Sequence, residues 1–348
     1  MNENNNLYLQ FFDAERTRST TDFLRKPGGP SLSYAAAHLQ SGRLQAALAG
    51  LGVSKGDRVV VQVGKSIEAV LLYLACLRIG AIYVPLNTAY TAAEVAYFIG
   101  DADPALFVCD PAMEGGLGDE IRNGARRIET LSSDGSGSLP ELLSGMHDDV
   151  EIADCQPNDL AAILYTSGTT GRSKGAMLSH SNLSSNARVL HQYWHFEAGD
   201  VLLHALPIFH VHGLFVALHC AMLNGSTVFL LPQFNVDSII QLLPQSTVMM
   251  GVPTFYTRLL DHADFNAESC RNMRLFISGS APLLAETHVE FEARTGFRIL
   301  ERYGMTETGM ITSNPYGGER LAGTVGYPLP AVMVRIADSQ GNELPHGQ

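Results

Sequence analysis

The sequence predicts an α/β protein in which parallel-rich sheets are sandwiched by helices. Three observations carry that prediction. Short apolar runs alternate with helix-length segments along most of the chain, the helical segments carry recognisable start signals, and the composition suits burial. The chain has 348 residues, 46% hydrophobic and 17% charged, enough for two or more packed units.

Taken in order, Arg58 to Val63 reads as a strand and Ser66 to Ile79 as a helix. Thr91-Ala92-Ala93-Glu94 is a capping box that opens another helix before the strand Leu106 to Cys109. Residues 131 to 139, LSSDGSGSL, form a Ser/Gly-rich connector expected to be a surface loop. The alternation then resumes. Helices are expected at 181–194, 212–223, 236–243, 254–261 and 283–295, and strands at 201–206, 227–231, 247–250, 274–278 and 297–300. Repeated strand-helix units favour parallel pairing with helices on both faces. No internal repeat or coiled-coil heptad is visible.

Charge and cysteine usage narrow the function. A net charge of −12 argues against nucleic acid or an anionic membrane as partner. Five scattered cysteines, without a CxxC pair, do not make a disulfide framework, and a reducing, cytoplasmic setting is expected. The segment MNENNNLYLQ has neither a basic region nor an apolar core of secretory type. Two apolar stretches, 67–84 and 211–231, are interrupted by charged or polar residues and read as core helices running into strands. Oligomeric state is not legible, and a homodimer stays open.

The most informative segment is YTSGTTGRSKG at 165–175. Small residues let successive backbone N–H groups converge on an anion, the hydroxyls of Thr166, Ser167, Thr169, Thr170 and Ser173 add donors, and Lys174 adds positive charge. A Walker A loop requires GxxxxGK followed by Ser or Thr and a helix. Here Arg172-Ser173-Lys174-Gly175 follows Gly171, and the text beyond reads as a short strand leading to an N-cap. It is therefore a different phosphate loop. A flexible linker is the bland alternative, disfavoured by the lysine and by apolar runs on both sides.

TSGTTGRSKG resembles the signature loop of the acyl-adenylate-forming enzymes, which include acyl-CoA synthetases, peptide-synthetase adenylation domains and firefly luciferase. Ile277 to Pro282 (ISGSAP) resembles the adenine-side segment of that family, Arg302 to Thr308 (RYGMTET) its YGxTE motif, and Gly323 to Pro328 (GTVGYP) the glycine-rich turn that follows. All four stand in the family's order, and the likeness covers nearly the whole chain. It implies two parallel-rich sheets and the start of a small β-barrel subdomain, with approximate divisions at 1–165, 166–310 and 311–348. The loops at 165–175, 278–282 and 303–307 each follow an expected strand, where open α/β sheets bind ligands.

The resemblance also implies ATP, Mg2+ and coenzyme A as co-substrates and cofactor. The ATP site would comprise Thr166, Ser167, Gly168, Thr169, Thr170, Gly171 and Lys174, the segment Gly279, Ser280 and Ala281, and the strand end Glu301, Tyr303, Gly304, Met305 and Thr306. Tyr303 would stack on adenine, Thr306 donate to the α-phosphate, Lys174 neutralise the outer phosphates, and Glu307 hold Mg2+. Lys174, Thr306 and Glu307 are thus the catalytic candidates. The implied chemistry is attack of a substrate carboxylate on the α-phosphorus, loss of pyrophosphate, then thioester formation. The nucleophile is ionised near pH 7, so positioning and charge neutralisation suffice without a general base.

Two arginines bear on the acid. Neighbouring side chains of an extended strand point to opposite faces, so if Tyr303 faces adenine, Arg302 faces the acyl side. Arg258 falls early in a helix after a strand end. Two guanidiniums suit a second carboxylate, and with ERYGMTET this pairing resembles the malonyl-CoA synthetases of the family. The expected substrate is a small dicarboxylate, malonate or methylmalonate, held by Arg258 and Arg302 with Ser278, Ser280 and His210 assisting. A structural salt bridge is the competing reading of either arginine, and acetate, propionate or an aryl acid stays open. Members of the family continue past the text Glu343 to Gln348 into a ribose-gripping Asp, a hinge and a small C-terminal domain bearing a lysine used in adenylation. With that domain absent, bound ATP with low turnover is expected, and a kinase or a pure nucleotide-binding module remains an alternative.

Overall fold

Fifteen strands are found among the described residues, 4–148, 150–166 and 172–345 of the computed structural model. In chain order they are β1 (Asp22–Arg25), β2 (Ser31–Ser33), β3 (Arg58–Gln62), β4 (Ile82–Pro85), β5 (Leu106–Cys109), β6 (Ile128–Thr130), β7 (Leu160–Thr166), β8 (Lys174–Ser179), β9 (Val201–His204), β10 (Thr227–Leu230), β11 (Val248–Gly251), β12 (Leu275–Ser278), β13 (Leu300–Met305), β14 (Gly309–Ser313) and β15 (Tyr327–Pro328).

They form two sheets. Six strands run in the order β6-β5-β3-β4-β7-β8 and nine in the order β15-β14-β13-β12-β11-β9-β10-β1-β2. Pairing is parallel from β6 through β7 and from β13 through β1, while β8, β2, β14 and β15 pair antiparallel at the margins. Val59, Val60 and Val61 of β3 are all buried, as are Leu275, Phe276 and Ile277 of β12, because helices cover both faces. The helix Ile67–Ile79 lies in the largest apolar cluster, is capped by Ser66 accepting from the Ala69 N–H, and ends at Gly80 with φ +73°.

Several boundaries differ from expectation. β13 continues through Met305, so Tyr303 to Met305 belong to a strand and not to a loop; only 306–308 turn into antiparallel β14. Burial of Leu300 to Arg302 and the cross-strand partner β14 extend the ladder beyond the apolar run that marked it in the sequence. The connector 131–139 contains the start of a short helix, Ser138–Glu141, tied back by Ser138 Oγ accepting from the Thr130 N–H at 2.9 Å. The expected helix 212–223 begins as a π-helix, His212–Leu218, before turning α-helical at His219. The Gly213 carbonyl is engaged by His204 Nε2 at 2.9 Å, which competes with the helical ladder. The division expected at 165/166 falls within the β7–β8 hairpin of the first sheet, and β1 and β2, early in the chain, join the second.

Four of the five histidines buried among the described residues, His180, His204, His212 and His219, are held neutral. Burial lowers the pKa of His180 to about 4 and that of His219 to about 3, and puts His204 and His212 well below the ordinary 6.5. The unfolded chain takes up these protons near pH 6.5 and the folded chain only far lower, so stability is full above 6.5 and declines below it. The urea midpoint is expected to fall steadily from pH 6.5 to 4, with His180 alone costing about 3 kcal/mol across that range. A midpoint that stays flat over this window refutes the account.

Candidate functional site

The first sheet contributes the stem of the phosphate loop. Thr166 ends β7 opposite Lys174 at the start of β8, and Lys174 is exposed. Ser167, Gly168, Thr169, Thr170 and Gly171 lie outside the described residues. Thr166 Oγ1 donates to Glu307 Oε1 at 2.9 Å, so the loop stem meets the turn between β13 and β14 of the second sheet. Thr306, Tyr165, His210 and Asn87 line one cavity of about 150 Å³ beside this junction. The exposed Glu307 carboxylate with the Thr166 hydroxyl beside it fits Mg2+, which is held by few protein oxygens plus phosphate.

β13 separates two environments as strand alternation requires. Tyr303 is 45% exposed and offers a ring face to solvent, while Arg302 is 4% exposed on the opposite side. The register slips after Tyr303, which pairs with Thr312 while Gly304 pairs with Met310. Gly304 has no room for a Cβ against the Gly309 backbone. Glu301, by contrast, is buried: its Oε1 accepts from the Gly323 N–H at 3.2 Å and lies 3.5 Å from His288 Nδ1. Its carboxylate ties β13 to the 323–328 turn.

The Arg302 guanidinium packs against Gly279, where any Cβ would collide with it. Its Nε and Nη2 are buried without a protein partner, as is Ser278 Oγ at the end of β12. Neither Arg302 nor Arg258 forms an ion pair among the described residues, which disfavours the salt-bridge reading. Burial pushes the Arg302 pKa down to about 10, still cationic at neutral pH. His210 and His212 border this charge: burial first, then Arg302, lowers the pKa of each. Ser280, with φ +70°, sets its Oγ 3.3 Å from His212 Nδ1. A buried cation, two imidazoles and two hydroxyls thus cluster around the ends of β12 and β13, with Arg302, His212 and Ser278 buried and His210 and Ser280 at the exposed margin. Guanidinium and hydroxyl donors are the groups that pair with carboxylates.

Arg258 is placed differently. It is exposed on the helix Pro253–Leu260, with its guanidinium 4.7 Å above the Phe234 ring, and no contact joins it to Arg302. After β12 the buried Gly279 leads into exposed Ser280 and Ala281.

A second cavity, about 270 Å³, went unread in the sequence. It lies between the helix His180–Tyr193, the π-helix and residues 306–310 and 329–332. Asn186 closes it by donating to the Met310 carbonyl at 3.0 Å and accepting from the Met310 N–H at 3.1 Å. Its only sequence signal is a polar residue on an otherwise ordinary amphipathic helix.

With Thr166 and Glu307 meeting at the strand ends of the two sheets and a buried arginine behind Tyr303, the chain belongs to the AMP-binding enzyme family, whose model matches residues 12–348. It is 36% identical over 326 residues to a malonate–CoA ligase of Arabidopsis thaliana, covering 84% of this chain and 52% of that protein. Among solved structures, ATP-bound MatB from Rhodopseudomonas palustris is 50% identical, with a TM-score of 0.96 over 99% of this chain and 69% of that one. A malonyl-CoA ligase ternary product complex with methylmalonyl-CoA and AMP is 31% identical at a TM-score of 0.76, covering 91% of this chain and 66% of that one. The chain spans about half the length of the curated relatives it matches. The fold agrees with the one expected, two parallel-rich sheets with helices in the manner of the N-terminal part of acyl-CoA synthetases.

Proposed function

We propose that this chain binds ATP and a small dicarboxylate, malonate or methylmalonate, for AMP-forming activation of the acid and its transfer to coenzyme A. The observation that carries the reading is the buried, unpaired guanidinium of Arg302 on the reverse side of the strand that presents Tyr303. A monocarboxylate would leave that charge without a counter-ion, whereas a second carboxylate satisfies Nε and Nη2 together. The malonate-directed relatives support the same substrate.

In this reading the adenine rests on Tyr303 and is bordered by the Gly279 to Ala281 turn. Lys174 and the loop at 166–171 receive the outer phosphates, and Thr306 donates at the α-phosphate. Mg2+, held through Glu307, supplies neutralisation of phosphate charge. Arg302, with Ser278, Ser280 and His210, holds the distal carboxylate so that the proximal one, already ionised, faces the α-phosphorus; Arg258 joins them by swinging off Phe234. Neutral His210 and His212 add no charge of their own to that of the guanidiniums. No membrane-spanning helix occurs among the described residues, and all five cysteines are free and buried. The free cysteines fit a reducing compartment such as the cytoplasm; a homodimer is compatible with the same reading.

The test is equilibrium binding to this chain in the presence of a non-hydrolysable ATP analogue. Malonate and methylmalonate are expected to bind at least tenfold more tightly than acetate, propionate or benzoate. Equal or tighter binding of a monocarboxylate overturns the substrate assignment. In the protein at its relatives' full length, malonate-dependent release of AMP and pyrophosphate is expected, and ADP release would point to a kinase instead.

A further inference from the structure

Lys65 lies in the loop between β3 and the helix 67–79, outside every motif, yet its side chain crosses to the second sheet. Nζ donates to His204 Nδ1 at 2.6 Å, to the His204 carbonyl at 2.9 Å and to the Leu206 carbonyl at 2.8 Å. Three acceptors use all three N–H bonds of an ammonium. Because His204 accepts at Nδ1, its proton sits on Nε2, where it donates to the Gly213 carbonyl at 2.9 Å. One tautomer serves both contacts. None of the Lys65 hydrogen bonds goes to a carboxylate, and desolvation pushes its pKa well below the ordinary 10.5. An apolar residue would close the same gap at less cost, so the ammonium is kept for what it holds.

What it holds is the turn 205–213. The Leu206 carbonyl fixes the turn's start and the Gly213 carbonyl its end. Between them His210 accepts from the His212 N–H at Nδ1, 3.1 Å away, and from Gly213 and Leu214 N–H groups at its carbonyl. Gly213 leaves no space for a Cβ beside the Pro207 carbonyl, so the turn has little freedom to shift. From this turn His212 reaches Ser280, and both His210 and His212 feel the charge of Arg302.

The geometry points to Lys65 as a positioning residue that, through His204, sets the turn 205–213 and thereby the spacing of His210 and His212 from Arg302. In that role it governs how well the pocket accepts a second carboxylate. The inference rests on the dicarboxylate reading above.

The test compares malonate and ATP-analogue affinities, by calorimetry, for the wild-type chain and for Lys65→Met, His212→Ala and their double variant. Lys65→Met is expected to weaken malonate about tenfold while ATP-analogue affinity stays within twofold. In the His212→Ala background the same change is expected to add less than threefold, because the path it acts through is already cut. Should Lys65→Met fold poorly, His204→Leu severs the same link and is expected to give the same loss. A lower melting temperature with malonate affinity unchanged, or losses that multiply in full in the double variant, overturns the positioning role. Wild-type chain that ignores malonate, or binds it equally well after Arg302→Met, fails the dicarboxylate reading instead. Malonate that binds through Arg302 but is indifferent to both Lys65→Met and His204→Leu fails this inference alone.

Discussion

Arg302→Met is expected to weaken malonate binding by about thirtyfold to several thousandfold and, in the same molecule, to raise the melting temperature of the ligand-free chain. The first effect follows from losing a desolvated, charge-assisted contact to a carboxylate, worth about 2–5 kcal/mol. The second follows from the state of the guanidinium without ligand. Its Nε and Nη2 are buried with no protein acceptor, and its pKa is already pushed down by burial. Replacing such a charge with an apolar chain of similar length removes a desolvation penalty, for a gain of about 1–3 kcal/mol. ATP-analogue affinity is expected to change less than twofold, since Tyr303 is exposed on the opposite face of the strand. Calorimetric titration and a thermal melt measure the two effects. A variant that loses both stability and malonate binding would show Arg302 to be a structural member of the core.

Glu307→Gln is expected to abolish the Mg2+ dependence of ATP binding. In the wild-type chain, adding Mg2+ should tighten ATP about tenfold or more; in the variant the two titrations should coincide. Glutamine keeps an acceptor for the Thr166 hydroxyl, so the junction between the sheets survives while the charge is lost. Malonate affinity, set by Arg302 on the far side of β13, is expected to stay within twofold. If Mg2+ still tightens ATP in Glu307→Gln, the carboxylate is not its ligand.

Much of the architecture was legible because parallel strands buried on both faces leave continuous apolar runs. β3, β5, β10, β11 and β12 all fall within two residues of their expected positions. The opposition of Arg302 and Tyr303 was legible for a still simpler reason, the two-residue period of a strand. Burial of Glu301 was not, since its partners His288 and Gly323 come from distant segments and carry no local signature. Arg258 looked equivalent to Arg302 by position in the sequence. Its rotamer, stacked on Phe234, is decided by an aromatic from another loop. The π-helical turn at 212–218 depends on a side chain from β9 taking a backbone carbonyl, which no periodicity reveals. Lys65 was invisible for the same cause: its acceptors belong to the other sheet.

The placement of β1 has a consequence for how the molecule assembles. Leu24 and Arg25 pair in parallel with Val228 and Phe229, so an early strand finds its partner only after some two hundred further residues exist. During synthesis the whole first sheet can form while β1 and β2 wait as an unpaired hairpin. Closing so long a loop costs entropy that only the completed second sheet can repay, which makes this pairing a late event in folding. Once made, it fixes the order second, first, second along the chain: the first sheet, β3 to β8, is a contiguous insert, and the second sheet is split around it.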